Sequence, residues 1–210
     1  MKKIFLIIGV LIITSCSSTK FIDSWKNEEI SSFKPQKLLV VGMTENLTAR
    51  KIFEDELKEA FKLRNIYAEE SAVVFEESFT NSKRSEDEID EMIQEISEDG
   101  FDAVIITAVK GVDEKRNYST NYYTVGYRWS HFGHYYFRFQ DVYYTPEYYE
   151  SYKVYNIETS IYNINEEENK SLIWVGSFNL VNPQTISTTV KDYVAKIIKQ
   201  LEREKLIEEL

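Results

Sequence analysis

Apolar residues recur along this chain in two rhythms. From Lys37 onward, a compact run, Leu38-Leu39-Val40-Val41-Gly42-Met43, reads as a strand buried on both faces. After a turn at Thr44 to Asn46, apolar positions change to helical spacing: Ala49, Ile52, Phe53, Leu57, Ala60 and Phe61, with charged residues between them and Asn65 as the stop. Ile66 to Ser71 reads as a second, shorter strand, with Val73 to Phe75 extending it or opening a loop. Ser85 followed by Glu88 has the spacing of a capping box. Behind it, Ile89, Met92, Ile93 and Ile96 form one apolar stripe, stopped at Asp99-Gly100. Asp102 to Val109 reads as the third buried strand. The order is βαβαβ, and right-handed crossovers make its three strands parallel.

The second rhythm is strict alternation. Tyr155, Ile157, Thr159 and Ile161 alternate with Asn156, Glu158 and Ser160, and Leu172, Trp174, Gly176, Phe178 and Leu180 mark one face of an answering strand. A polar loop, Asn165 to Lys170, makes the two antiparallel neighbours. Asn182-Pro183 ends the run. Val190, Tyr193, Val194, Ile197, Ile198 and Leu201 then define an amphipathic helix that frays near Glu208. The expected fold class is α/β with a mixed sheet: a parallel βαβαβ unit, an antiparallel hairpin and a C-terminal helix.

The N-terminus follows neither rhythm. Lys2 and Lys3 precede the apolar run Ile4 to Ile13, which leads through Thr14 and Ser15 to Cys16. Charged start, apolar core and small residues are the order of a secretory signal. The core is about half the length that spans a bilayer as a helix, so a permanent span is not expected. The segment Ile13-Thr14-Ser15-Cys16 resembles the lipobox of bacterial lipoproteins. That resemblance implies removal of residues 1–15 as a signal peptide and acylation of Cys16. Ser17, Ser18 and Thr19 carry neither an Asp after the cysteine nor an acidic cluster, which by the same resemblance implies the outer membrane, facing the periplasm. Residues 16–36 read as a lipidated polar tether in which Trp25 docks on the domain. Residues 37–210 form one α/β domain.

Charge and cysteine content support this division. Without the leader, 23 basic residues face 35 acidic ones, a net charge of −12. An acidic body lacks the basic footprint of a nucleic-acid-binding protein. It also does not adsorb broadly to anionic lipid, so the acyl chains must do the anchoring. Cys16 is the single cysteine, and no disulfide can form within the chain.

One stretch departs from the α/β pattern. Between the third strand and the hairpin, an aromatic-rich insertion at about 111–150 occupies a place where a few residues would suffice. Residues 117–155 hold twelve of the fifteen tyrosines, together with Trp129 and both histidines. Four readings are open. The aromatics fold onto the sheet or one another. Or they form a contact platform for an envelope protein or glycan, through Tyr122, Tyr123, Tyr127, Trp129, Tyr135, Tyr136, Tyr143, Tyr144 and Tyr148, since Tyr and Trp give large contact area at low entropic cost. Or they touch a membrane or line an oligomeric ring. Or His131 and His134, with Asp141, hold a metal; with no third histidine and no available cysteine, that set is thin.

No catalytic constellation stands out. A G-x-S-x-G elbow and a glycine-rich phosphate loop are both absent from the sequence, and the base of a hydrolase could come only from His131 or His134. No cofactor is expected. The order of lipobox, Trp-containing tether, Leu-Leu-Val-Val-Gly strand, two helices, Ala103-Val104-Ile105 strand, Tyr-rich loop and Trp174 strand resembles bacteroidete-type outer-membrane lipoprotein families. The βαβαβ opening is similar, at fold level, to the N-terminal domain of TolB and to CsgG-like lipoproteins. The expectation is a lipid-anchored, non-enzymatic binding or accessory module; the alternatives are an oligomeric outer-membrane assembly or secretion-accessory subunit, and an envelope glycan hydrolase.

Overall fold

The computed structural model describes residues 18–31, 33–75, 83–114, 132–133, 153–165, 171–181, 183 and 185–210. Their elements, in chain order, are β1 (Thr19–Lys26), β2 (Leu38–Met43), α1 (Leu47–Lys62), β3 (Ala68–Glu70), the single turn α2 (Ser71–Val74), α3 (Glu86–Glu98), β4 (Ala103–Glu114), β5 (Lys153–Asn163), β6 (Leu172–Val181) and α4 (Ile186–Arg203). The six strands form one mixed sheet in the order β1-β6-β5-β4-β2-β3. β2 pairs in parallel with both β3 and β4, and the remaining pairs are antiparallel. The class is α/β, with the parallel βαβαβ unit, the antiparallel hairpin and the C-terminal helix that the hydrophobic pattern predicts.

Alternation along the buried strands feeds two cores. Leu38 and Val40 of β2 face α1 and α4, where Phe53, Leu57, Phe61, Tyr193, Ile197 and Leu201 close over them. Leu39, Val41 and Met43 face the other way, onto Ile89, Met92 and Ile96 of α3. Local capping sets where the helices begin. Asn46 Oδ1 accepts from Ala49 N at 2.9 Å. Ser85 Oγ accepts from Glu88 N at 3.3 Å while the Glu88 carboxylate accepts from Ser85 N at 2.8 Å, which completes the capping box. Gly100 ends the α3 segment at φ +85°, a conformation that favours glycine.

The tether reading needs correction at residues 19–26. These form β1, an edge strand paired antiparallel with β6, and not a free polar lead. The reason for the misreading is a bulge: the register shifts between Phe21 and Asp23. One extra residue places Phe21 on the α1/α4 face and Trp25 on the α3 face, although strict alternation would put both on one side. Trp25 does dock on the core, as predicted. The other differences are of extent. α1 ends at Lys62, with Asn65 at φ +59° just beyond, and the second strand shrinks to Ala68–Glu70. β4 runs on to Glu114 and β5 begins at Lys153, so the insertion between strands spans 115–152.

Candidate functional site

Strand direction decides what gathers at each end of the sheet. Thr19 lies opposite Leu180, Tyr155 opposite Leu180 on the other side, and Val112 opposite Tyr155. The last pair of β4 and β5 is Glu114 with Lys153. The start of β1, the end of β6 and both roots of the aromatic insertion therefore share one end of the sheet. The C-termini of the parallel strands β2 and β4 lie at that end too. There the chain leaves β2 toward β3 on one side and β4 toward β5 on the other, and the crevice at such a divergence is where open α/β sheets place ligands.

A cleft of about 610 Å³ occupies that crevice. Its apolar wall is formed by Phe53, Val109, Tyr155, Ile157, Leu180 and Val190, from α1, β4, β5, β6 and α4. Polar groups at its rim come from the caps of two helices, Asn46 before α1 and Thr185 before α4. Among the described residues that line it, Glu45 is the one carboxylate, and there is no lysine, arginine or histidine. In depth, the hydroxyl of Tyr193 meets Thr159 Oγ1, which is 2.7 Å from Thr107 Oγ1. Burial pushes the Tyr193 phenol far above its ordinary value, against a smaller opposite effect of the Thr159 and Thr107 hydroxyls. The phenol therefore stays neutral and serves as a hydrogen-bonding group. The described lining offers apolar contact edged by helix-cap polar groups and the Glu45 carboxylate, which suits binding.

Beside the cleft floor lies a buried polar cluster. Glu54 Oε1 accepts from Gly42 N at 2.9 Å, Arg50 Nε at 3.0 Å and Ser71 Oγ at 2.6 Å, and Oε2 accepts from Ala72 N at 3.1 Å. Arg50 Nη2 also donates to Ser71 Oγ at 2.7 Å. A serine against a carboxylate invites comparison with a nucleophile. Here Ser71 is wholly buried, and its hydroxyl is engaged on both sides, donating to Glu54 Oε1 and accepting from Arg50 Nη2. The cluster fastens α1 and α2 to the end of β2. Gly42 allows the close fit: a Cβ there would stand 3.2 Å from Phe53 Cδ1 and 3.6 Å from Glu54 Oε1.

Cys16 lies outside the described residues, as do the contact residues Tyr122, Tyr123, Tyr127, Trp129, Tyr135, Tyr136, Tyr143, Tyr144 and Tyr148 and the metal candidates His131, His134 and Asp141. Among the described residues, no group of three His, Cys, Asp or Glu side chains could hold a metal ion. Two residues of the insertion are described. Phe132 is buried with the α3-facing core, its ring 6.1 Å from that of Tyr162. Gly133 sits so close to α3 that a Cβ would be 3.0 Å from Ile93 Cδ1. At these two residues the insertion packs onto the domain. The cleft itself was not foreseen from sequence. Its trace there is the coincidence of two helix caps, Asn46 and Thr185, each just after a strand.

No protein-family model matches the chain, and no curated protein sequence matches it. Among solved structures, the chain is similar to the PelC dodecamer from Paraburkholderia phytofirmans, at 9% identity and a TM-score of 0.46, covering 91% of this chain and 99% of that one. It is also similar to lipoprotein GNA1162 from Neisseria meningitidis, at 15% identity and a TM-score of 0.39, covering 80% of this chain and 99% of that one.

Proposed function

We propose that the protein is a periplasm-facing lipoprotein, anchored in the outer membrane through Cys16, which acts without catalysis as a binding or accessory module. Its contact surface is the end of the sheet that carries the aromatic insertion. The observation that carries the reading is the register just described. Ser18, two residues after Cys16, and both insertion roots, Glu114 and Lys153, lie at one end of one sheet. Two residues of backbone reach about 7 Å at most. Acyl chains on Cys16 would therefore hold this end at the bilayer surface, each buried CH₂ contributing about 0.8 kcal/mol. Tyrosine and tryptophan suit that position, because their rings accept apolar contact while their polar atoms stay wet.

In-cell cross-linking of the full chain and of a variant lacking residues 117–148 tests the contact surface. The variant is expected to stay with the membrane and to lose the cross-linked partners. Identical partner sets for both would contradict the reading. A second reading, an oligomeric assembly subunit, is favoured by β1, which among the described residues is an edge strand of the sheet. A concentration-independent monomer mass for the full chain in detergent would count against it.

A further inference from the structure

The cleft has the composition of a site for an uncharged, apolar ligand. Its wall is aliphatic and aromatic, and among the described residues that line it there is no cation for a phosphate or carboxylate. About 610 Å³ is ordinary for a small-molecule site. Its position narrows the choice of occupant. Leu180 lines the cleft and lies opposite Thr19 on the adjacent strand, about 5 Å away. Thr19 N donates to Asp192 Oδ2 at 2.9 Å, which fixes the start of β1 beside the first turns of α4. Thr189 and Val190, from those turns, form the same wall. Thr19 lies three residues after Cys16, a reach of about 10 Å at most. A chain attached to that sulfur is held near the mouth at an effective concentration of order millimolar, whatever the concentration of free lipid.

We propose that the cleft shelters one acyl chain of the Cys16 lipid whenever the protein is out of a bilayer. The inference rests on the acylation of Cys16 proposed above. Between export and insertion, a lipidated protein must keep its chains from water. The cleft does so for one of them at the end of the domain from which the chains emerge. A free phospholipid lacks this tether and is the disfavoured occupant.

The test uses the full chain produced in cells fed a palmitate analogue with a terminal diazirine. The protein is purified, freed of detergent, irradiated and digested, and the peptides are read by mass spectrometry. The mass of the Cys16 peptide reports acylation separately from any cross-link. The expected result is a link between the Cys16-borne chain and peptides containing Val109, Tyr155, Leu180 or Val190. Val190→Glu and, at the more exposed rim, Ile186→Glu should each lower that link about tenfold with acylation unchanged, since a carboxylate opposes burial of a chain beside it. A phospholipid adduct in the cleft, or links from an acylated Cys16 only to other peptides, would overturn the proposal. An unacylated Cys16 would overturn the anchoring reading along with it.

Discussion

The indole of Trp174 lies across the α-carbon of Gly176, two residues further along the same face of β6. Trp174 is wholly buried, and its Nε1 donates to Glu204 Oε2 at 2.9 Å, just past the end of α4. The ring has room only because residue 176 has no side chain. Gly176→Ala would drive a methyl group into the ring and should lower unfolding free energy by about 2 kcal/mol, within the usual range for overpacking. Urea denaturation followed by Trp fluorescence measures this.

The same tryptophan belongs to a latch. Glu204 also receives hydrogen bonds from Ser24 Oγ and Gln200 Nε2, and its backbone oxygen accepts from Lys26 Nζ at 3.0 Å. The latch joins β1, β6 and the end of α4 at the end of the sheet away from the cleft. Glu204→Ala leaves the buried indole N–H without its acceptor and should cost about 1–2 kcal/mol. Hydrogen exchange at β1 amides should quicken in this variant before exchange at β4 amides does.

The Arg50–Glu54 pair predicts a non-additive result. Both side chains are buried, at 6% and 0% exposure. Glu54→Ala strands a buried guanidinium and should cost about 3–5 kcal/mol. Replacing both residues together, Arg50→Met with Glu54→Leu, removes the stranded charge and should recover at least half of that loss. Urea midpoints of the two single variants and the double variant decide it; a double variant as unstable as the sum of the singles would contradict this account.

Stability should depend weakly on pH through Glu69. The Tyr67 hydroxyl, donating at 2.6 Å, and then the Lys58 ammonium hold the Glu69 carboxyl below its ordinary value of 4.5. A depressed folded-state pKa stabilises above the unfolded value, and that contribution is lost as pH falls through the folded one. Lys58 is raised from 10.5, chiefly by its hydrogen bond to Glu69 and against its own desolvation, so its part is present below that value and lost at higher pH. Both side chains are partly exposed, so the pair contributes about 0.5 kcal/mol. Glu69→Gln should remove that much of the acid-limb slope in unfolding measurements below about pH 5.

The hydrophobic pattern was legible wherever burial was regular. β2 and β4 are covered on both faces and read as unbroken apolar runs; β5 and β6 alternate; α3 carries its capping box and its glycine stop. Three features were not legible, each for a physical reason. β1 hid behind its bulge, which reverses the alternation between Phe21 and Trp25. The outer half of β4, from Lys110 to Glu114, carries polar residues, such as Lys110 paired with Glu158 at 3.0 Å, that do not read as strand from the sequence alone. The cleft is built by six elements distant in sequence, and no local spacing of Phe53, Tyr155 and Val190 reports that they meet. The clustering of tyrosines was visible at once, whereas the placement of the insertion's roots, Glu114 and Lys153, at the same end as Thr19 followed only from strand register.

The account depends most on how the chain begins in the cell. Intact-mass analysis of the protein extracted from cell membranes tests this directly. The account predicts a mature N-terminus at Cys16 carrying covalently bound acyl groups, with residues 1–15 removed. A chain that keeps an unmodified Met1 and a free Cys16 thiol would contradict it.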